Sequence, residues 1–168
     1  MQSGQGIFKI FYLNMSRERT KIGLLILETM RDIMLILHLV GLIMGLGTSF
    51  AHAFLGMATA KMKADEVTRF RVHTLVLGRM GNVGIVLLIV SGLYLMTPYW
   101  SVLLATPLLI LKLALVIVLV ALIIVLNSLA KKAVLGDAEV HLKKMEKFGK
   151  SSLLVGVVIL VLAVYIFH

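Results

Sequence analysis

Four long apolar stretches, separated by short polar segments, dominate the order of residues along the chain. A helix of roughly 20 apolar residues crosses a bilayer core of about 30 Å. The stretches that meet this length, or come close to it, are residues 33–60, 70–97, 102–127 and 151–167. Because short connections place successive helices side by side and antiparallel, the pattern predicts an all-α fold, an integral membrane four-helix up-down bundle formed by residues 30–168.

Residues 1–29 precede the first predicted span and have a mixed pattern. Their apolar runs are divided by Arg17, Arg19 and Lys21. A continuous helix from Lys21 to Ala60 would be about 60 Å long at 1.5 Å per residue, which is too long for one crossing. We therefore predict that residues 1–29 form an amphipathic or flexible segment, with an N-terminal helix that lies in the membrane interface.

Composition agrees with a membrane environment and limits the available chemistry. Of the 168 residues 60% are apolar and the mean hydropathy is +1.04, whereas soluble domains average about 45–50% apolar residues. The chain has no cysteine, which excludes disulfides, thiolate nucleophiles, iron–sulfur clusters and Cys-ligated zinc. Membrane lipid is therefore the expected surrounding of the four spans.

Basic residues outnumber acidic ones and lie mainly on one side of the predicted bundle. The net charge is +9, from 17 Lys and Arg against 8 Asp and Glu. Ten of the basic residues lie in or beside the segments 61–69 and 128–150, and none lies in the turn around Pro98. The positive-inside rule therefore predicts that these two loops are cytoplasmic in a multi-pass membrane protein. Since no nucleic-acid-binding motif accompanies the charge, we expect anionic lipid rather than nucleic acid as its partner.

Histidine and glycine recur along one face of the first predicted span. His38, Gly41, Gly45, Ser49 and His52 follow at intervals of three or four residues, which places them on the same side of a helix. Gly41 and Gly45 form a small-xxx-small pair, typical of close helix packing in membranes. The same small residues would leave room for a flat cofactor against the backbone, and they would also allow a homodimer. The sequence leaves these interpretations open.

Five ionisable residues lie within or beside the spans, where they need a partner or a route to water. Folding the chain about its turns places His38 level with Lys112, and His52 at a depth comparable to His73. Imidazole is a common haem or metal ligand, so His38 is the main metal-ligand candidate and His52 and His73 are weaker ones. A ligand carboxylate is a natural counter-ion for Lys112, which could instead extend to the surface. Arg79 likewise requires an anion or water.

Three short segments resemble a known group of membrane proteins. They are Leu37-His38-Leu39-Val40-Gly41, Ser91-Gly92-Leu93-Tyr94-Leu95, and Trp100 followed by Leu111-Lys112-Leu113-Ala114-Leu115-Val116. Over about residues 33–127 the chain is similar to the HemJ-type protoporphyrinogen oxidases and the CopD-like group of small four-helix bacterial membrane proteins, which includes related families of unknown function.

This resemblance implies a cofactor, a reaction and the residues that serve them. In HemJ-type enzymes a first-span histidine and a third-span lysine are implicated in haem b binding and in activity, which implies these roles for His38 and Lys112. The residue pattern, rather than the resemblance, adds Gly41 and Gly45, which leave room for a flat cofactor, and Arg79, which needs an anion, to the expected cofactor-binding set. The implied reaction is oxidation of protoporphyrinogen IX to protoporphyrin IX. Its partners would be a hydrophobic tetrapyrrole and a respiratory electron acceptor, and its location would be a bacterial inner membrane.

Two other classes of function remain open from the sequence. The chain contains ten methionines, and soft thioethers suit copper(I), so a CopD-like copper-handling protein could use them together with His38 and His52. No M-x-x-M or H-x-M cluster concentrates these methionines, which favours apolar packing as their role. The third class is a structural or assembly subunit in which the polar face of the first span only packs helices.

Overall fold

The chain folds almost entirely into helices. A computed structural model of the protein describes residues 3–135 and 138–167. Two short 3-10 helices, Thr59–Lys61 and Thr97–Ala105, connect longer elements. The α-helices in chain order are α1 (Ser3–Ala58), α2 (Ala64–Thr74), α3 (Leu77–Leu95), α4 (Pro107–Leu135) and α5 (Ala138–Phe167).

Four helical segments are long and apolar enough to cross a membrane, as the sequence predicts. They are Met15–Ala58, Asp65–Leu95, Pro107–Leu135 and Ala138–Ile166. The second segment combines α2 and α3 across a turn at residues 75 and 76. Since the described residues contain helices and no strand, the prediction of an all-α membrane helical bundle is confirmed.

Helix α1 differs from the prediction at its N-terminal end. It runs without interruption through 56 residues, about 84 Å at 1.5 Å per residue. Residues 1–29 were expected to be a segment of their own, but the helix continues across the boundary at residues 29 and 30, and the separate interfacial helix is not observed. The physical reason is the lack of a helix breaker: residues 7–40 contain no proline and one glycine, Gly23, which costs only about 1 kcal/mol in a helix interior.

The start of the third membrane helix also differs from the prediction. The residues after α3 form the 3-10 helix Thr97–Ala105, so the membrane helix begins at Pro107 rather than at residue 102. Proline is favoured at the first helical position because its fixed φ suits the helix and its missing N–H is not needed there.

Helix α5 begins thirteen residues before the predicted span at 151. Two ion pairs at i,i+4 spacing stabilise this polar first half: Lys143 to Glu139 at 2.8 Å and Lys150 to Glu146 at 2.9 Å. Most of the segment 128–150 is therefore helical rather than a loop. Segment 61–69 is helical from Ala64 onward, where the Lys63 backbone N–H donates to the Glu66 carboxylate at 3.3 Å.

Helices α1 and α3 approach each other closely through glycine. A Cβ atom placed on Gly84 would lie 2.7 Å from the Gly45 backbone nitrogen and 2.9 Å from the Gly41 carbonyl oxygen. Gly41 is buried in turn against the backbone of Gly84 and Leu88. The small-residue pair on the first span therefore packs helices, as one interpretation of the sequence predicts.

The bundle consists of two helix pairs, α1 with α3 and α4 with α5. Fewer contacts join one pair to the other. Gly156 on α5 packs near Leu46 on α1, where an added Cβ would lie 3.0 Å from the leucine Cδ2. Most large apolar side chains point outward; Leu104, for example, is 91% exposed. In a membrane these surfaces contact lipid.

Candidate functional site

A large cleft separates the two helix pairs. Its volume is about 1640 Å³, which exceeds the roughly 300–1,000 Å³ typical of a pocket for one small ligand. Most of its lining is apolar, and the predicted site residues His38, Gly45, His52, Arg79 and Lys112 all contribute to its wall. We call this space the interhelix cleft. Its size and position allow a flat hydrophobic molecule to lie between the helix pairs.

A hydrogen-bonded chain fixes the orientation of His38. The Nδ1 atom of His38 lies 3.0 Å from the Ser91 hydroxyl, and Ser91 is almost completely buried, with 1% exposed. The single hydroxyl proton of Ser91 is donated to the Leu87 carbonyl on its own helix. Ser91 can therefore only accept a hydrogen bond from His38, so Nδ1 of His38 carries the proton. In the neutral ring the lone pair is then on Nε2, the atom available to ligate a metal.

Two further residues shape the surroundings of this imidazole. Gly92 packs against one side of the ring. A Cβ added to this glycine would be in van der Waals contact with the ring, 3.4 Å from His38 Cε1 and 3.7 Å from Nδ1. Lys112 is half-buried and lines the same cleft as His38. Both residues therefore belong to one cavity, as the depth estimated from the sequence predicts for residues that share a site.

The remaining predicted site residues do not gather around His38. Gly41 is occupied by the contact with α3 and is not among the residues that line the cleft. Arg79 lies twelve residues from Ser91 on α3, about 18 Å along the helix axis at 1.5 Å per residue. His73 is exposed on α2, where its Nδ1 lies 2.7 Å from the Arg69 carbonyl, and His52 lines the cleft while His73 does not.

The structure also reveals polar contacts that the sequence interpretation missed. Asn82 on α3 and Asn127 on α4 exchange amide hydrogen bonds of 3.1 and 2.8 Å. Arg71 on α2 donates to Glu146 on α5 at 3.2 Å. The asparagine contact joins α3 to α4 and the Arg71–Glu146 contact joins α2 to α5, and all four residues line the cleft. The sequence signal for the asparagine pair is the presence of one amide side chain in each of two apolar spans, because buried amides require hydrogen-bond partners.

Breaking the asparagine pair is expected to destabilise the bundle modestly. Asn82→Leu or Asn127→Leu alone leaves one amide without its partner, and each should lower the free energy of unfolding by about 1–2 kcal/mol, the upper range for interhelical hydrogen bonds in membranes. The double variant should lose less than the sum, since neither amide then remains. Unfolding in detergent, analysed as a double-mutant cycle, measures this coupling. Additive losses would show that the two amides do not interact.

Comparisons with known proteins give no assignment for this chain. No family model, no curated protein and no solved structure matches it. Within residues 3–135 and 138–167, no group of three or more His, Cys, Asp or Glu side chains could hold a metal ion. The chemistry of the interhelix cleft therefore carries the functional interpretation.

Proposed function

We propose that this chain is a membrane redox protein that binds haem b in the interhelix cleft, with Nε2 of His38 as the iron ligand. The observation that carries the proposal is the chain from His38 Nδ1 through Ser91 to the Leu87 carbonyl. Metal-ligating histidines generally donate their other ring N–H to an acceptor, which fixes the tautomer and the ring orientation. His38 shows this arrangement on the wall of a cleft.

The residues of the cleft fit a haem in two further respects. Haem iron needs only one or two ligands from the protein, and His38 can supply one of them. The apolar haem ring also suits the apolar lining of the cleft. Its propionates need cations, and Lys112 lines the same cleft as His38. When bound, haem b supplies one-electron transfer. The protein's own part is to orient the ligand, exclude water and balance the carboxylate charge.

The finer proposal is oxidation of protoporphyrinogen IX to protoporphyrin IX. The cleft is larger than the space that one ligand commonly fills, so a second flat tetrapyrrole can lie beside the first. Lys112 would hold a carboxylate of the substrate or accept a proton released from it. The electrons removed would pass to a respiratory electron acceptor. A bacterial inner membrane supplies such acceptors, with the basic segments 61–69 and 128–150 on the cytoplasmic side.

An optical spectrum of protein purified in detergent from haem-replete cells tests the proposal. We expect a Soret band in the oxidised protein and sharpened α and β bands after dithionite reduction. Metal analysis of the same sample separates the alternatives. Stoichiometric copper without a Soret band would support a CopD-like copper-handling protein, and a colourless, metal-free protein that copurifies with a partner would support a structural subunit.

Replacing Ser91 with alanine is expected to weaken haem binding by about 10- to 100-fold, the usual effect of losing such an outer partner of a ligand. The midpoint potential should rise, because an imidazole that has lost the Ser91 acceptor at Nδ1 is a poorer donor to ferric iron. Ser49→Ala is the matched control. Ser49 also lines the cleft and donates to a carbonyl of its own helix, that of Gly45 at 3.3 Å. Haem titration and redox titration measure both effects. Equal behaviour of the two variants would contradict the role of Ser91.

A further inference from the structure

The interhelix cleft is strongly basic at the end away from His38. Arg71, Arg79, Lys131 and Lys150 all line this part of the cleft, and we call them the basic end. The acidic residue Glu146 lies among them. Its two carboxylate oxygens are used by two cations, Oε2 by Arg71 at 3.2 Å and Oε1 by Lys150 at 2.9 Å. One carboxylate therefore serves two of the four basic residues.

Each of the other two basic residues lies one helical turn from a member of the asparagine pair. Arg79 precedes Asn82 by three residues on α3, and Lys131 follows Asn127 by four residues on α4. Residues at these spacings lie on the same helix face, one turn apart. Helices α3 and α4 are antiparallel and are joined at Asn82 and Asn127. The direction from Asn82 back to Arg79 and the direction from Asn127 on to Lys131 therefore point toward the same end of the bundle. Arg79 and Lys131 therefore lie on the same side of the two amides and line the same end of the cleft.

Charge balance indicates what these two cations bind. None of the ion pairs among the described residues includes Arg79 or Lys131, and Arg79 lies inside a candidate membrane span. Both side chains are exposed on the protein surface, and a charged side chain within a membrane span requires a counter-ion or water. Guanidinium matches the geometry of phosphate with two parallel hydrogen bonds, and lysine adds a point charge. The pair is thus suited to a phosphate group.

We propose that the basic end binds the phosphate headgroup of an anionic phospholipid between Arg79 and Lys131. Basic pockets between transmembrane helices are known to recognise such headgroups. The cleft continues from these residues along apolar side chains that include Ile85, Ile123 and Leu126, so the acyl chains can lie between the helix pairs. An inorganic anion would use the cations but not this apolar wall. The site lies about 18 Å along α3 from Ser91, and it is independent of the haem proposal.

Native mass spectrometry with added lipid tests this proposal. The wild-type protein should retain phosphatidylglycerol in preference to phosphatidylcholine. Arg79→Gln combined with Lys131→Gln should weaken phosphatidylglycerol binding roughly 30-fold. Each basic residue near an anionic headgroup contributes about a fivefold gain in affinity, and the variant loses two of them. The charge-preserving variant Arg79→Lys with Lys131→Arg should bind much more tightly than the glutamine variant, which separates loss of charge from loss of folding.

The matched control removes the same charge elsewhere on the protein. Lys144 and Lys147 lie on α5, are exposed and are not among the residues that line the cleft. Lys144→Gln with Lys147→Gln should leave phosphatidylglycerol binding unchanged. Equal loss in both double variants would overturn the proposal in favour of general charge attraction. Displacement of the lipid by millimolar inorganic phosphate would overturn it in favour of a free-anion site.

Discussion

Replacing Gly84 with alanine is expected to lower the free energy of unfolding by about 3 kcal/mol, the upper end of the usual cost of overpacking. The new Cβ would lie 2.7 Å from the Gly45 nitrogen and 2.9 Å from the Gly41 carbonyl oxygen. These are backbone atoms of α1, so no flexible side chain can move aside, and the two helices must separate. Separation would also move His38 away from Ser91, and haem binding should weaken.

Gly47→Ala is the control for this substitution. Gly47 is also a helical glycine, on α1, but an added Cβ there meets no atom within 4 Å. Alanine in this position should leave stability unchanged or raise it by about 0.5–1 kcal/mol, since glycine is a poor helix former. Unfolding in detergent measures both variants. Equal stability of the Gly84 and Gly47 variants would show that α1 and α3 are not in close contact.

Replacing His38 with alanine is expected to remove most bound haem. The loss should exceed the roughly 10- to 100-fold that follows removal of an outer partner, because the iron ligand itself is absent. His73→Ala and His52→Ala are the control variants. His73 is exposed on α2, with its Nδ1 near the Arg69 carbonyl. His52 lines the cleft but lacks the serine contact that orients His38. Both variants should keep the Soret band.

Haem content per protein, measured at equal expression, separates these variants. Loss of haem in the His52 variant with retention in the His38 variant would transfer the ligand assignment to His52. Equal haem content in all three variants would contradict the assignment of any of these histidines as the necessary ligand.

The lengths of the apolar stretches and the spacing of small residues predicted those parts of the fold that depend only on neighbouring residues in the chain. Apolar length gave the four spans, because crossing a bilayer requires a fixed helix length. The spacing of Gly41 and Gly45 indicated a packing face, and the structure shows α3 against it. The lengths of the turns placed His38 and Lys112 at one depth, and both residues line the interhelix cleft.

Features that depend on distant residues could not be predicted in the same way. Asn82 and Asn127 are separated by 45 residues, and nothing in either local sequence identifies the other as its partner. The role of Ser91 depends on the rotation of α3 relative to α1. The start of α5 is a further case: a run of charged residues is typical of a loop, but Glu139 and Lys143 form an ion pair within the helix.

Imidazole rescue of His38→Gly tests the central claim most directly. The glycine variant removes the side chain and leaves a space on the cleft wall beside Ser91 and Gly92. We predict that this variant purifies without a Soret band and that millimolar imidazole, added with haem, restores one resembling that of the wild type. The same treatment of the His73→Gly variant should change nothing. A His38→Gly protein that keeps its Soret band without imidazole, or a wild-type protein that has none, would contradict the account.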